Sequence, residues 1–220
     1  MRLSPETIDV LKNFSTINFS LNVKAGNKLS TIAIARNIVA ESTIKDTFPS
    51  DFAIYSLSEF IGVLSLFNTP DISFDEKFLI VREEGDTRGG IKYGYCNPAL
   101  IVFPTKEIKL PEEVDLTFTI TKDQIAKLQK AGGILNVPDI KIKSGKDGVF
   151  LIVQDNKNSS SNSFQLPVSD VKSKDLELSL KLENIKVMPM DYVVRVSARG
   201  FSIWTSADGS IQYAITLEAN

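Results

Sequence analysis

The chain has 220 residues, 43% of them hydrophobic and 24% charged, and its 25 basic and 27 acidic side chains leave a net charge of −2. That is room for one large β domain or two of ~110 residues, with a substantial core. It contains no histidine and a single cysteine, Cys96, which excludes Ser/His/Asp triads, Cys/His dyads, nearly all zinc sites and any internal disulfide.

The near-neutral balance also excludes nucleic-acid binding by bulk charge, so any such contact must be local. A lone thiol fits a reducing cytoplasm. The amino terminus, MRLSPETIDVLK, lacks the apolar core of a signal peptide. No apolar run approaches the ~18 residues needed to cross a bilayer. The expectation is a soluble intracellular protein with no membrane contact, no metal and no cofactor.

Ser4-Pro5-Glu6 opens a first helix, with Ser4 as N-cap and Pro5 at the first helical position. Its buried face is Thr7, Ile8, Leu11 and Phe14. Residues 21–24, 28–35 and 38–45 read as strands, separated by Gly26-Asn27 and Arg36-Asn37 turns. Residues 52–55 are another strand, feeding a second helix over 57–67, LSEFIGVLSLF. That helix is apolar almost all round, so sheet should largely cover it. Residues 71–74, 78–82 and 90–95 continue as β.

Pro98, Pro104 and Pro111 then interrupt a mixed stretch that suits neither a central strand nor a helix. It reads as a connector over 98–113, between domains of 1–97 and 114–220, with 100–103 packed down. Residues 114–120 alternate apolar and polar as a strand should.

TKDQIAKLQKAG, 121–132, follows as a helix. Thr121 with Gln124 forms a capping box, each side chain satisfying a backbone N–H that the helix start leaves free. Ile125 and Leu128 share one face, with Lys127 and Lys130 opposite. Gly132-Gly133 should end it. Strands follow at 139–143 and 148–154, then a polar loop at 155–163, DNKNSSSNS. Further strands at 163–168 and 176–182 precede a short helical turn at 183–188, stopped by Pro189. Strands at 192–199 and 210–217 close the chain, with Asp208-Gly209 as a hairpin turn.

The two halves repeat. Ser4 pairs with Thr121, Glu6 with Asp123, Ile8 with Ile125, Leu11 with Leu128 and Ile17 with Ile134. Farther on, Glu59 pairs with Glu183, Ile61 with Ile185, Val63 with Val187 and Leu64 with Met188. Each half reads as strand, helix, three strands, strand, helix, strands. Tandem domains of this kind, in α+β class, can close into a ring with other copies. Lysines on its inner wall would touch DNA phosphates without reading bases.

Several runs resemble the DNA polymerase sliding clamps of T-even-type bacteriophages. They are Leu3-Ser4, Leu11-Lys12-Asn13-Phe14-Ser15-Thr16-Ile17-Asn18, Ala53-Ile54-Tyr55, Leu57, Phe60, Gly62, Leu64-Ser65-Leu66, Tyr213-Ala214 and Leu217-Glu218-Ala219. The resemblance covers nearly the whole chain and is weakest at 71–95. It implies the DNA-clamp (processivity) fold, two similar β-rich domains each with two helices, closed head to tail as a homotrimer in the host cell cytoplasm. It implies no catalytic residues. Its partners would be duplex DNA, the phage DNA polymerase, an ATP-driven clamp loader complex and, for late transcription, a late sigma factor or co-activator.

On that basis the DNA-facing residues would be Lys12, Lys122, Lys127, Lys130 and Lys186. The family carries a basic residue at the position of Lys130, whereas Lys12 sits beside Asp9. A merely solvated helix face is the plain alternative. Client peptides would dock near the connector, at Leu100, Ile101, Val102, Phe103, Leu110 and Pro111 with Ile215 and Leu217 beneath, unless these only seal the domain junction. Subunits would join by edge pairing, through Ile91, Tyr93 and Tyr95 of one chain and Phe164, Leu166 and Val168 of the next.

Two other classes compete. A β-rich virion structural or scaffold protein would also lack catalytic residues, but would not need lysines on one face. A carboxylate enzyme would need two acids in one cleft. Glu83-Glu84 and Glu112-Glu113 are sequence neighbours, which point to opposite faces on a strand.

Overall fold

Ser4 starts the chain's first helix as expected: its Oγ accepts from the Thr7 amide at 3.3 Å, with Pro5 next in line. In the computed structural model, which describes residues 1–111 and 113–218, the chain divides into two units, 1–107 and 108–220. Glu112 of one acid pair and Ala219 of the terminal motif lie outside the described residues.

The first unit begins with α1 (Pro5–Ile17), which buries Thr7, Val10, Leu11, Phe14 and Ile17. Ile8 is only half covered. Strands β1 (Leu21–Val23), β2 (Gly26–Ile32), β3 (Ile38–Phe48) and β4 (Phe52–Ile54) follow. The antiparallel pairs are β1 with β4 and β2 with β3. After α2 (Leu57–Leu64), β5 (Pro70–Phe74), β6 (Phe78–Glu83) and β7 (Ile91–Gly94) make a three-stranded antiparallel sheet. Phe48, Phe52 and Phe74 meet at ring distances of 5.6 to 6.3 Å, edge-on or tilted, in the core between these strands.

The second helix is not the covered cylinder its composition suggests. It has eight residues, packs against α1, and buries only Leu57, Phe60 and Leu64. Gly62 and Leu66 are exposed, because the chain turns off the helix at Ser65.

The second unit runs β8 (Leu116–Ile120), α3 (Lys122–Leu135), β9 (Asp139–Gly145), β10 (Gly148–Gln154) and β11 (Phe164–Ser169). It then repeats the order with β12 (Leu176–Lys181), a 3-10 turn (Leu182–Asn184), β13 (Tyr192–Ser197), β14 (Phe201–Ser206) and β15 (Ile211–Thr216). The two half-units exchange their first strands. β12 pairs with β9 in the sheet of β9, β10 and β11, while β8 pairs with β13 in the sheet of β13, β14 and β15. β8 buries one face only, which gives it its buried–exposed alternation.

Three expectations need correction here. α3 does not stop at Gly132-Gly133 but continues to Leu135 and a left-handed Asn136 at φ 52°. Gly132 is buried against Leu182, where a Cβ would overlap that side chain, so the glycine serves packing rather than termination. In consequence Ile134 is 73% exposed although Ile17 is buried, and the pairing of those two fails.

The helical turn of 183–188 is only three residues long, with no side-chain cap and with Ile185 leaving the helix at ψ 74°. Strand β14 lies in a stretch unassigned from sequence. Ser202 is fully buried, its Oγ accepting from Trp204 Nε1 at 3.0 Å.

Candidate nucleic-acid interface

The capping box at the start of α3 is present in both directions. Gln124 N donates to Thr121 Oγ1 at 3.2 Å, and Thr121 N donates to Gln124 Oε1 at 2.9 Å. With that start fixed, Ile125 and Leu128 face the core, where a fully covered leucine is worth roughly 1.5–3 kcal/mol. Lys122, Lys127 and Lys130 are left exposed. Lys127 Nζ lies 5.5 Å from the centre of the Phe164 ring on β11, close enough for a weak cation–π attraction. Among the described residues, none of these three lysines has an ion-pair partner within 4.0 Å.

Lys186 is not on a helix. It lies on a strap, 185–190, that three hydrogen bonds fasten down. Gln129 Nε2 of α3 donates to the Ile185 carbonyl at 2.9 Å. Met188 N donates to Tyr213 Oη at 3.1 Å, and Tyr192 Oη donates to the Met188 carbonyl at 2.9 Å. Burial pushes both tyrosines far above the ordinary range, so they stay neutral. The strap thus brings Lys186 beside α3. Sequence could not have supplied Gln129, because its partner is 56 residues away.

The first unit is different. Lys12 on α1 is exposed but ion-paired with Asp9 at 3.4 Å, and Glu6 pairs with Lys45 at 2.7 Å. On α2 the exposed side carries Ser58, Glu59 and Gly62, with no basic residue.

The connector residues divide. In the first unit Leu100 is 69% exposed and Val102 is exposed, while Ile101 is buried and Phe103 half-buried. Asn18 Nδ2 holds this segment by donating to the Ile32 carbonyl at 2.8 Å and the Val102 carbonyl at 2.9 Å. In the second unit Leu110 is exposed, Pro111 half-buried, and Ile215 and Leu217 are buried.

A further apolar pair was missed from sequence. Phe19 and Tyr55, just past α1 and just before α2, are exposed and meet edge-on at 5.5 Å. The β1–β4 pairing of Leu21 with Ile54 and the hydrogen bond from Leu57 N to the Phe19 carbonyl, at 2.7 Å, bring them together.

Both strands chosen for subunit contact are sheet edges: β7 ends one sheet and β11 ends another, with no outer neighbour among the described residues. Their side chains differ. Tyr93 is buried, donates to the Ser56 carbonyl at 3.0 Å and packs on Phe60; burial pushes its hydroxyl up to about 12. Tyr95 stacks on Phe52 at 5.2 Å, and Leu166 is buried. These three serve their own unit. Ile91, Phe164 and Val168 are half-buried at the edges, where the free backbone groups are the pairing chemistry.

The remaining reactive groups are engaged structurally. Glu83 accepts from the Thr69 hydroxyl and from the Asn68 and Thr69 amides, while Glu84 pairs with Arg2 at 2.7 Å. Burial raises the Cys96 thiol, which favours its protonated form. Among the described residues, no group of three or more Cys, Asp or Glu could hold a metal ion. Among the described residues, no helix is long and apolar enough to cross a membrane.

The architecture is that of the DNA clamps. The proliferating cellular nuclear antigen of Entamoeba histolytica superposes with a TM-score of 0.70 at 12% identity, over 97% of this chain and 95% of that one. The PCNA2–PCNA3 complex of Sulfolobus tokodaii matches with a TM-score of 0.70 at 14% identity, over all of both chains. The Helicobacter pylori beta clamp matches with a TM-score of 0.71 at 14% identity, over all of this chain and 65% of that one.

Sequence narrows the class. The family model for DNA polymerase processivity factor matches residues 4–86. The sliding clamp of Vibrio phage KVP40 is 29% identical over 224 residues, all of both chains. Those of Escherichia phage RB69 and Enterobacteria phage T4 are 28% and 29% identical over 231 residues, covering all of this chain and 98% of each relative. Over its whole length the chain is similar to these phage sliding clamps, and its first unit matches the DNA polymerase processivity factor model. These comparisons give no support to a virion structural or scaffold protein.

Proposed function

We propose that the protein closes head to tail into a homotrimeric ring around duplex DNA and tethers the phage replicative polymerase to it. Its domains would be 1–97 and 114–220, joined by the connector 98–113. A clamp loader complex opens the ring at the expense of ATP, in the host cell cytoplasm. A late sigma factor or co-activator uses the same ring for late transcription. The carrying observation is the exposed, unpaired lysine face of α3, on a helix whose opposite side is locked into the core. The free edges of β7 and β11 support closure, and exposed Leu100 and Val102 support capture of an apolar client peptide.

Solution mass against concentration tests the ring: a concentration-dependent trimer is expected, and a monomer at every concentration overturns it. Processive synthesis should rise only when loader and ATP are present. The double variant K127E/K130E should keep its oligomeric mass and lower processivity, more so as salt increases. Unchanged processivity across a salt series removes those lysines from the interface.

A further inference from the structure

We infer that duplex phosphates are contacted through α3 and its strap in the second unit, and that helices α1 and α2 of the first unit take no part. This rests on the clamp reading above. It departs from a ring wall whose repeated helices share the work equally.

The charges decide it. α1 holds one lysine, Lys12, against two acids, Glu6 and Asp9, and all three are already in ion pairs: Asp9–Lys12 at 3.4 Å and Glu6–Lys45 at 2.7 Å. α2 carries Glu59 and no basic residue. A polyanion approaching these helices meets compensated or negative charge. α3 instead carries Lys122, Lys127 and Lys130 against the single acid Asp123, with no ion pair to any of the three lysines among the described residues.

The strap adds Lys186, held beside α3 by the Gln129–Ile185 hydrogen bond and offset in part by exposed Glu183. Its lysine side chain has a counterpart in neither charge nor structure in the first unit, where the aligned residue, Gly62, is bare helix surface. Phosphate contact releases condensed counterions only where a cation is free to replace them. α3 has such cations, and α1 has spent its only one on Asp9.

Equilibrium binding to a short open-ended duplex, measured across a salt series, reads the surface directly. The plot of log affinity against log salt falls by about 0.9 for each phosphate contact. K127E/K130E should therefore make that slope shallower by about two for each α3 engaged, whereas Lys12→Glu should leave it unchanged. A Lys12→Glu variant that flattens the slope as much as the double variant overturns the inference. So does a double variant with the wild-type slope.

Retention of the loaded protein on nicked circular DNA, and its loss when the circle is cut, reads the ring separately. Protein that slips off intact circles, yet still loses its salt slope in K127E/K130E, ends the ring and keeps the phosphate surface.

Discussion

Gly132 on α3 and Leu182 after β12 meet with no room for one added carbon: a Cβ on Gly132 would fall inside the Leu182 side chain and press on Val153 Cγ1 at 3.3 Å. Its neighbour Gly133 has nothing within 4 Å of the same position. Gly133→Ala should stabilise the protein by roughly 0.5–1 kcal/mol through backbone entropy alone. Gly132→Ala gains the same entropy but must displace Leu182, at a cost of about 1–3 kcal/mol. A net loss of about 1 kcal/mol is expected, and denaturant midpoints of the two variants should move in opposite directions. Equal shifts would dismiss the close packing.

The capping box offers a sharper local test. Thr121→Ala removes the oxygen that accepts from Gln124 N, which should cost about 1 kcal/mol. Hydrogen exchange should speed up at the first turn of α3 and not at its last. Gln124→Glu keeps the box and should cost little.

Asn18 is buried and bonded in several directions at once. Its amide donates to two carbonyls and its oxygen accepts from Ser20 N at 3.0 Å. Asn18→Ala strands those groups and should cost about 2–3 kcal/mol. Limited proteolysis should then cut first near Val102, the segment that Asn18 holds. Cutting confined to 155–163 would argue against that tether.

The carboxylate of Asp139, 1% exposed, accepts from Lys181 Nζ at 2.5 Å and from Asn156 N at 2.8 Å. Lys181 keeps some contact with water, so Asp139→Ala should cost about 2 kcal/mol rather than the full value of a buried pair. The hydrogen bond to Asp139 raises the Lys181 pKa above its ordinary 10.5. A raised cation contributes stability that is complete below 10.5 and fades as pH climbs through the higher value. Wild type should therefore lose stability above pH 10.5 more steeply than Asp139→Asn, as followed by urea midpoints.

Acid works on Asp46 in the opposite sense. Burial opposes its charge, but hydrogen bonds from the Thr7 hydroxyl and from Ser4 N and Oγ outweigh that and lower its pKa from 3.8. The stability it contributes is present above 3.8 and lost as pH falls through the lowered value. Asp46→Asn should weaken the protein by about 1 kcal/mol at neutral pH and flatten its decline in acid. An unchanged acid slope would remove Asp46 as a source of that decline.

The elements legible in sequence were those with a local signal: Ser4-Pro5, the Thr121–Gln124 box, the alternation of β8 and the DG turn before β15. What escaped depended on distant partners. β14 was unassigned; its buried Ser202 donates to the Ile215 carbonyl of β15, 13 residues on, at 3.3 Å. Gly132-Gly133 looked like a stop because nothing local announces Leu182. The lysine face of α3 was readable from a period of 3.6, but the Lys12–Asp9 ion pair and the position of Lys186, held by Gln129, needed the structure.

The exchange of first strands within the second unit has a mechanical side. β8 is clasped by the later half and β12 by the earlier one, so neither half can be drawn away without breaking both sheets along their length. Pulling loads those hydrogen bonds together, as in shear, whereas a bare edge strand such as β7 or β11 can part from a neighbour bond by bond. A unit tied in this way behaves as one rigid tile, and force applied to an assembly of such tiles is discharged at the seams.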